Sequence, residues 1–337
     1  MSVPRVSVVL PVYNGAAFLA ESLESVLRQT FHDIEVLVID DASTDDSAAV
    51  AERIGDPRVR VIRHDQNRRL PETLNHGLDL ARGEFVARMD ADDRCHPRRF
   101  EKQVRFLDAH PEIGICGSWV RLVGGPAKTT RKYPVSPDAV DAFRFFHCPF
   151  AHPAVMLRRA LLEERHLRYE PRAAAVEDFD LWTRLLTFTR GANLPEALLD
   201  YRLHEASVTS RDWTAMDENS AAVLGAALRE ILPAVTDEQA RFHRRVSMAD
   251  IPTDADSLRE AGEWLNVLAA VLDRNRDARA VLRDIWLRLA MHVAPVAGLA
   301  CLGEALWSAF PRKYGLETRQ RLLIVASAVK GWVRGFR

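Results

Sequence analysis

The chain has 337 residues, longer than one average domain, with 47% hydrophobic and 28% charged residues, the composition of an ordinary globular protein. A formal net charge of -1 excludes a global attraction to nucleic acid, so any partner has to be read from local sites. The four cysteines, Cys95, Cys116, Cys148 and Cys301, form no C-x-x-C pair, which argues against a zinc site or a disulfide framework and for reduced thiols in a cytoplasm.

The apolar run that begins at Val6 is interrupted by Pro11, Tyr13 and Asn14 before it reaches the length of a signal-peptide core, so secretion is not expected. Residues 6–10 read as a buried strand, and residues 34–39 as a second one closed by Asp40 and Asp41. Between them Phe18, Leu19, Ser22, Leu23, Val26 and Leu27 recur at helical spacing. The unit repeats as strand 59–62, helix 70–81 and strand 84–89, followed by a helix over 98–109 and a strand over 113–119. This alternation predicts an α/β fold with a Rossmann-like, mostly parallel central sheet, whose ligands gather beyond the carboxyl ends of the strands. Turn-rich stretches at 124–126 and 134–137 are expected to carry acceptor-side loops. Phe179, Leu181, Trp182, Leu185 and Leu186 mark one more amphipathic helix, with Glu177 and Asp178 in its first turn. Beyond about residue 205 helical patterns take over, at 221–231, 237–246, 257–272 and 278–290. The expected division is therefore an α/β domain over 1–210 and a C-terminal α-helical extension over 211–337.

Three polar clusters follow strands. Strand four runs into Arg88, Met89, Asp90, Ala91, Asp92 and Asp93, and carboxylates this close repel one another unless a cation or strong donors sit among them. Hard divalent cations such as Mn²⁺ and Mg²⁺ take oxygen ligands, and substrate phosphates commonly complete their shell. A cation held here can neutralise charge on a departing nucleoside diphosphate. An acidic turn with a helix cap before Pro97 is the plainer alternative, weakened by the second acidic pair at another strand end. In that pair, Asp41 can accept from a base N–H or a ribose hydroxyl, with Tyr13 and Asn14 beside it for stacking and a polar contact. Ser43 or Thr44 reads as the cap of the next helix. Glu177 and Asp178 come well after both clusters, and a sugar acceptor needs a carboxylate to take its hydroxyl proton.

Taken in order, VSVVLPVYNG at 6–15, SVLRQTFHDIEVLVIDDAS at 25–43, LNHGLDLARGEFVARMDADD at 74–93, EDFDLWTRLL at 177–186 and YRLHEAS at 201–207 resemble the family 2 glycosyltransferases, whose catalytic domain has the GT-A fold. The resemblance covers about the first 210 residues. It implies an inverting, single-displacement transfer from a nucleotide-diphosphate sugar to a hydroxyl of a glycan or lipid-linked acceptor, as in the synthesis of bacterial-type surface polysaccharides. UDP-sugars are the commonest donors in the family, with guanosine and thymidine donors open. Carried onto this chain, the resemblance puts Pro11, Tyr13 and Asp41 around the nucleoside and has Asp90, Asp92 and Asp93 form the D-x-D region, with Asp92 and Asp93 on a Mn²⁺ or Mg²⁺ ion. Asp178 becomes the general base, and Glu177 orients it or touches the acceptor. Arg202 and His204 fall near the diphosphate, and His152, in HPAVMLRR, near the acceptor, with Trp182 as a second acceptor-side candidate. Many relatives carry an arginine before the asparagine of the third helix, where this chain has Leu74 before Asn75; Arg68 or Arg69 is the nearest replacement charge.

Other doubly wound proteins fit less well. A response-regulator receiver closes strand one with its acidic pair, whereas strand one here ends in Pro11, Tyr13 and Asn14. A phosphatase of the D-x-D-x-[TV] type meets Arg94 at the last position, and a sugar nucleotidyltransferase needs more glycine than the single Gly15 after strand one. A non-catalytic module that binds a nucleotide sugar or glycan is the alternative of another class, and the Asp92, Asp93 and Asp178 set speaks against it. Residues 289–303 are uncharged but hold His292 and Pro295, too short and broken for a membrane span. The last stretch mixes Leu322, Leu323, Ile324, Val325, Trp332 and Phe336 with Arg312, Lys313, Arg319, Arg321, Lys330, Arg334 and Arg337. Two readings stay open for it: a basic amphipathic helix on the cytoplasmic face of an anionic membrane, or a helix packed on its own domain with its charges in water.

Overall fold

A computed structural model describes residues 3–125, 129–204 and 213–335, without the side chains of 213–215 and 331–335. Parts of the readings at 124–126 and 201–207, together with the side chains of Trp332, Arg334, Phe336 and Arg337, lie outside the described residues. Contacts divide the chain into two compact units: Met1–Pro137 with Cys148–Asn219, and Asp138–His147 with Ser220–Arg337.

The first unit is built on nine strands: β1 (Val6–Val12), β2 (Ile34–Asp40), β3 (Val59–Arg63), β4 (Phe85–Arg88), β5 (Arg94–Cys95), β6 (Ile113–Val123), β7 (Thr129–Arg131), β8 (Met156–Arg158) and β9 (Arg190–Arg202). They form one sheet in the order β3-β2-β1-β4-β8-β6-β9-β5, with β7 added to β6. Pairing is parallel across β3, β2, β1 and β4, as the alternation predicts. Beyond β4 the sheet is mixed: β8 runs antiparallel to both neighbours, β9 parallel to β6, and β5 antiparallel to β9.

Helices α1 (Ala16–Leu27), α2 (Ser47–Arg53), α3 (Arg69–Leu80) and α4 (Arg99–Ala109) flank the parallel half. β1, β2 and β4 are buried along their whole lengths, which is why they read as unbroken apolar runs rather than alternating ones. Val6, Val8, Leu10 and Val12 join Leu19, Leu23 and Val26 of α1 and Phe100, Val104 and Leu107 of α4 in one core. On α3, a Cβ on Gly77 would stand 2.4 Å from Val9 Cγ1, so glycine is what lets that helix approach β1 so closely. The unit is completed by the short α6 (Arg159–Glu164) and by α7 (Glu177–Leu185).

The second unit is helical: α5 (Pro137–Phe143), apart from its first residue, and then α8 (Trp213–Ile231), which begins in the first unit, α9 (Asp237–Met248), α10 (Ala255–Leu272), α11 (Arg276–Ala297), α12 (Leu302–Trp307), α13 (Ala309–Tyr314) and α14 (Thr318–Gly335). Residues 138–147, placed by the sequence within a domain over 1–210, belong here. The reason is packing: Ala142, Phe145 and Phe146 sink into a core with Leu228, Val246, Leu258 and Leu265. His243 pins this insertion. Trp264 Nε1 donates to its Nδ1 at 3.0 Å, so the ring proton sits on Nε2 and is donated to the carbonyl of Phe145. Burial pulls its pKa down to about 4, a neutral structural histidine. Among the described residues one stretch, Arg276–Trp307, is long and apolar enough to cross a membrane by length and composition, although 44% of its most apolar window is buried within the protein. Leu282, Ile285, Trp286, Leu289 and Val293 of α11 are all part of the helical core.

Candidate active site

Tyr13, Asp41 and the Asp90–Asp93 run leave the carboxyl ends of β1, β2 and β4, which are adjacent parallel strands. Strand order alone therefore brings these acids to one edge. Pro11 lies within β1, buried and paired with Ile39 of β2. Tyr13 projects with 53% of its surface exposed. Asn14 has a left-handed backbone, φ 53°, a conformation asparagine tolerates better than most residues. Its N–H donates to Ser43 Oγ at 2.9 Å, and its Oδ1 accepts from the Thr44 N–H at 2.8 Å. Asn14, Ser43 and Thr44 thus staple the loops after β1 and β2 together. The N-cap of α2 is Asp46, so the capping role read for Ser43 or Thr44 is corrected.

The Asp41 carboxylate is buried and accepts from Arg68 N at 2.8 Å, from Arg69 N at 2.9 Å and from His64 Nδ1 at 2.8 Å. Because the carboxylate accepts, the proton of His64 sits on Nδ1, and its Nε2 takes a proton from His76 Nδ1 at 2.8 Å. Three of the roughly four lone-pair sites on Asp41 are filled in this way, leaving one for a ligand. Arg69 itself is exposed, has φ 67°, and forms no side-chain ion pair among the described residues. Asn75, beside the missing family arginine, holds the Tyr169 backbone on both sides, accepting from its N–H and donating to its carbonyl at 2.8 Å each.

After β4 the chain gathers acids. One carboxylate oxygen from each of Asp90, Asp92 and Asp93 lies within 4.8 Å of the others. Asp93 is held from β9: Arg202 N–H donates to its Oδ1 at 2.9 Å, while its Oδ2 is buried without a hydrogen-bond partner. Burial, then the charges of Asp90 and Asp92, push the Asp93 carboxyl up to about 8. Asp90 is also raised, by burial first. Such a group wants positive charge, and an orphaned buried oxygen beside two more carboxylates fits a hard divalent cation. Arg202 continues the clamp by donating from Nε to the Asp92 carbonyl at 2.9 Å and from Nη2 to Glu21 at 2.6 Å, with its guanidinium 4.7 Å over the Phe18 ring. His204 Nε2 meets Asp92 Oδ2 at 2.7 Å. The pairing of β5 with β9 sets this register, so the last strand of the fold positions the acids that follow the fourth.

Asp178 occupies the first turn of α7, where the helix end favours negative charge. Its Oδ1 accepts from the Phe179 N–H at 2.7 Å and its Oδ2 faces Cys148 Sγ at 3.6 Å. Asp180, the third acid of that turn, is taken by Arg184 at 2.6 Å, which leaves Asp178 and Glu177 as the available pair. Burial raises both, and with the neighbouring Asp178 charge it brings Glu177 to about 7.

Between the two acid groups stands Arg88, a buried guanidinium at the end of β4. It forms an ion pair with Asp90, and its charge also acts on Asp93, Glu177, Asp178, Tyr169 and His152. Burial opposes its charge most strongly, but Asp90, Tyr169 and Asp93 together outweigh it and the net shift is upward. Arg99, wholly buried, donates from Nη2 to the Arg88 carbonyl at 2.8 Å and to the Val155 carbonyl at 3.1 Å, fixing the strand end that carries it. Arg88 and Tyr169 are missing from the residues singled out by sequence; the signal for Arg88 was its place on the last strand residue before the acids, and Tyr169 had none.

His152 meets the Tyr169 hydroxyl at 3.0 Å and is held neutral by burial and by Arg88. Trp182, read as an acceptor-side residue, has no exposed surface and stands edge-on to Phe150, His152 and Tyr169. It cannot touch an acceptor; it is core packing behind His152.

A doubly wound half-sheet continued by mixed strands, with acids on adjacent strand tips, is the GT-A architecture. The chain belongs to glycosyltransferase family 2. The sequence profile named Glycosyl transferase family 2 matches residues 7–165. EpsE of Bacillus subtilis (strain 168) is 35% identical over 239 residues, 68% of this chain and 84% of EpsE. The amylovoran biosynthesis glycosyltransferase AmsE of Erwinia amylovora is 32% identical, covering 61% of this chain and 79% of AmsE. Among solved structures, S. aureus TarS 1-349 in complex with UDP-GlcNAc aligns with a TM-score of 0.58 at 18% identity, over 98% of this chain and 92% of that one. The mannosyltransferase PcManGT of Pyrobaculum calidifontis, in complex with GDP-Man and Mn²⁺, aligns with a TM-score of 0.55 at 21% identity, over 98% of this chain and 88% of that one.

Proposed function

We propose that the chain catalyses an inverting transfer from a nucleotide-diphosphate sugar to an acceptor hydroxyl. The carrying observation is the pair of acid groups on either side of Arg88: a cluster with an orphaned buried Asp93 oxygen, and a separate carboxyl, Asp178, held above its ordinary range. Asp92 and Asp93, with Asp90 alongside, would hold a Mn²⁺ or Mg²⁺ ion, which when bound supplies Lewis-acid stabilisation of the diphosphate. Tyr13 and Pro11 border the nucleoside, the open lone pair of Asp41 accepts from it, and Arg69, Arg202 and His204 answer the phosphates. Asn14 serves by shaping this loop.

Asp178 accepts the proton of the acceptor hydroxyl as its oxygen attacks the anomeric carbon. The new C–O bond forms while the bond from that carbon to the phosphate oxygen breaks, its electron pair leaving with the nucleoside diphosphate. One displacement inverts the anomeric centre. Glu177 and Arg88 set the charge around Asp178, and His152 borders the acceptor side.

A UDP-sugar is the proposed donor, supported by the UDP-GlcNAc complex of TarS; the GDP-Man complex of PcManGT is the competing precedent. The names of AmsE and of the succinoglycan biosynthesis protein ExoO of Rhizobium meliloti (strain 1021) support a glycan or lipid-linked acceptor in surface polysaccharide synthesis. The test is release of nucleoside diphosphate from a panel of UDP-, GDP- and TDP-sugars with and without Mn²⁺. Metal-dependent release from one donor is the expected result. Tight binding of a donor without release, under every condition, would make the protein a binding module instead.

A further inference from the structure

The outward arc of α14 has a composition that solvent does not explain. Arg319, Leu322, Leu323, Ala326, Val329 and Lys330 are all exposed, while Ile324 and Ala328 on the opposite side are fully buried. At about 100° per residue, the exposed six fall within an arc of roughly 120°. Leu322 is 63%, Leu323 45% and Val329 40% exposed; around the helix Arg319 and Lys330 project between Leu323 on one side and Leu322 and Val329 on the other, and along the axis the two cations stand at the ends of the apolar stretch. A helix packed on its own unit ordinarily turns charged residues outward here. Leu299 and Trp307, on segments that pack against α14, are exposed as well, at 44% and 56%.

The segment of sequence that carries this arc is basic. From Gly298 to Arg337 the sequence holds seven basic residues, Arg312, Lys313, Arg319, Arg321, Lys330, Arg334 and Arg337, against Glu304 and Glu317, a formal +5. The whole chain carries -1, so the other residues sum to -6 and the excess is local. Apolar side chains bordered by cations are the chemistry of an interfacial helix, whose aliphatic groups enter the headgroup boundary while Lys and Arg reach the phosphates. A second copy suits the arc less well: an antiparallel isologous contact would bring Arg319 of one copy against Lys330 of the other with no acid on the arc to answer them.

We infer that the outward arc of α14 is a docking surface for an anionic bilayer. The helix lies in the plane of the interface with Leu322, Leu323 and Val329 inserted and Arg319 and Lys330 on lipid phosphates. The surface is distinct from the donor site and stands independently of it; resting on the reading of a hydroxyl-bearing acceptor, it narrows that acceptor to one presented at a membrane.

The experiment is flotation of the full chain with phosphatidylcholine vesicles, with and without about one-third phosphatidylglycerol. Flotation with the anionic vesicles alone, lost at high salt, is expected. Each Lys or Arg near such a surface contributes about 1 kcal/mol, so the double change Arg319→Ala and Lys330→Ala should weaken partitioning about thirty-fold. Leu322→Glu should strongly reduce flotation without changing the melting temperature or donor hydrolysis, since most of that side chain is already in solvent. Three results would overturn the inference: no flotation of the parent chain at low salt, variants that float like the parent, or variants that instead dissociate a dimer in solution. Loss of donor hydrolysis in the parent with flotation retained would count against the transferase reading and leave the lipid surface standing.

Discussion

Asp178→Asn separates the proposed chemistry from binding more cleanly than any other change. Asparagine keeps the shape of the side chain and an Oδ1 that can still accept from the Phe179 N–H, now at 2.7 Å, so α7 loses no contact at its start. It removes the proton acceptor. A general base contributes about 10²–10⁴-fold, which at 1.36 kcal/mol per decade is about 3–5 kcal/mol of barrier. Stability should not fall, because burial already disfavours the charged form of this carboxyl and the variant no longer carries it. The pH profile gives a second readout. A base must be deprotonated to act, and with Asp178 raised by burial the parent's rate should climb with pH above the ordinary carboxylate range before it levels off. The acid limb should be absent from the variant's residual rate. The assay is nucleoside-diphosphate release with water or added acceptor, alongside calorimetric titration of donor and Mn²⁺. Transfer within three-fold of the parent, or a loss of donor affinity as large as the loss of rate, would refute the assignment.

Asp93→Asn should abolish the Mn²⁺ dependence of donor binding while raising the metal-free melting temperature above neutral pH. The sign follows from linkage: the folded carboxyl, at about 8, lies above its unfolded value of 3.8, so the folded state binds more protons between them and stability falls as pH rises through that window. A parent chain whose metal-free stability is flat from pH 5 to 8 would contradict this (about the window set by the two values). Arg88→Met should cost about 3–5 kcal/mol by stripping Asp90 of its buried partner, and should move the acid limb of the rate to higher pH, because Arg88 holds Glu177 and Asp178 down. An unshifted limb in a folded variant would remove Arg88 from the site. Trp182→Ala should lower stability by about 3–5 kcal/mol as a core cavity, read by chemical denaturation; a change confined to acceptor KM would restore the role the structure denies it.

The parallel half of the fold was legible because β1, β2 and β4 are buried on both faces, and β-branched runs such as VSVVL and IEVLVI have no other comfortable home. The mixed half was not. β8 is three residues long, and β9 carries Pro195 where its register with β6 jumps from Leu194 to Ala197, so neither shows the periodicity of a strand. The insertion at 138–147 was invisible for another reason: its partners, among them Leu228, Leu258 and His243, lie far along the chain, and local spacing says nothing about which core a short helix joins. At the site, residue types announced Asp41, Asp90, Asp92, Asp93 and Asp178. They could not announce Asn14 as a staple, Trp182 as core or Arg88 as the shared counter-charge, since each depends on which neighbour the folded chain supplies.

The balance of charge at the site also constrains how a donor can enter it. Asp90, Asp92, Asp93, Glu177 and Asp178 are five carboxyls, and the arginines placed among them are Arg88, committed to Asp90, and Arg202, committed to Glu21 and to the Asp92 carbonyl. A diphosphate brings more negative charge to a partly buried setting where repulsion is weakly screened. On the proposed reading its phosphates would meet Asp92 and Asp93 with only Arg69, Arg202 and His204 to answer them, and the raised Asp93 carboxyl records the same shortage of positive charge. Donor and divalent cation should accordingly bind with strong mutual dependence, each tightening the other by the same factor. Asp178 stands apart from that cluster, its oxygens meeting the Phe179 N–H at a helix N-terminus and the Cys148 thiol, which on the proposed reading leaves it to serve the acceptor.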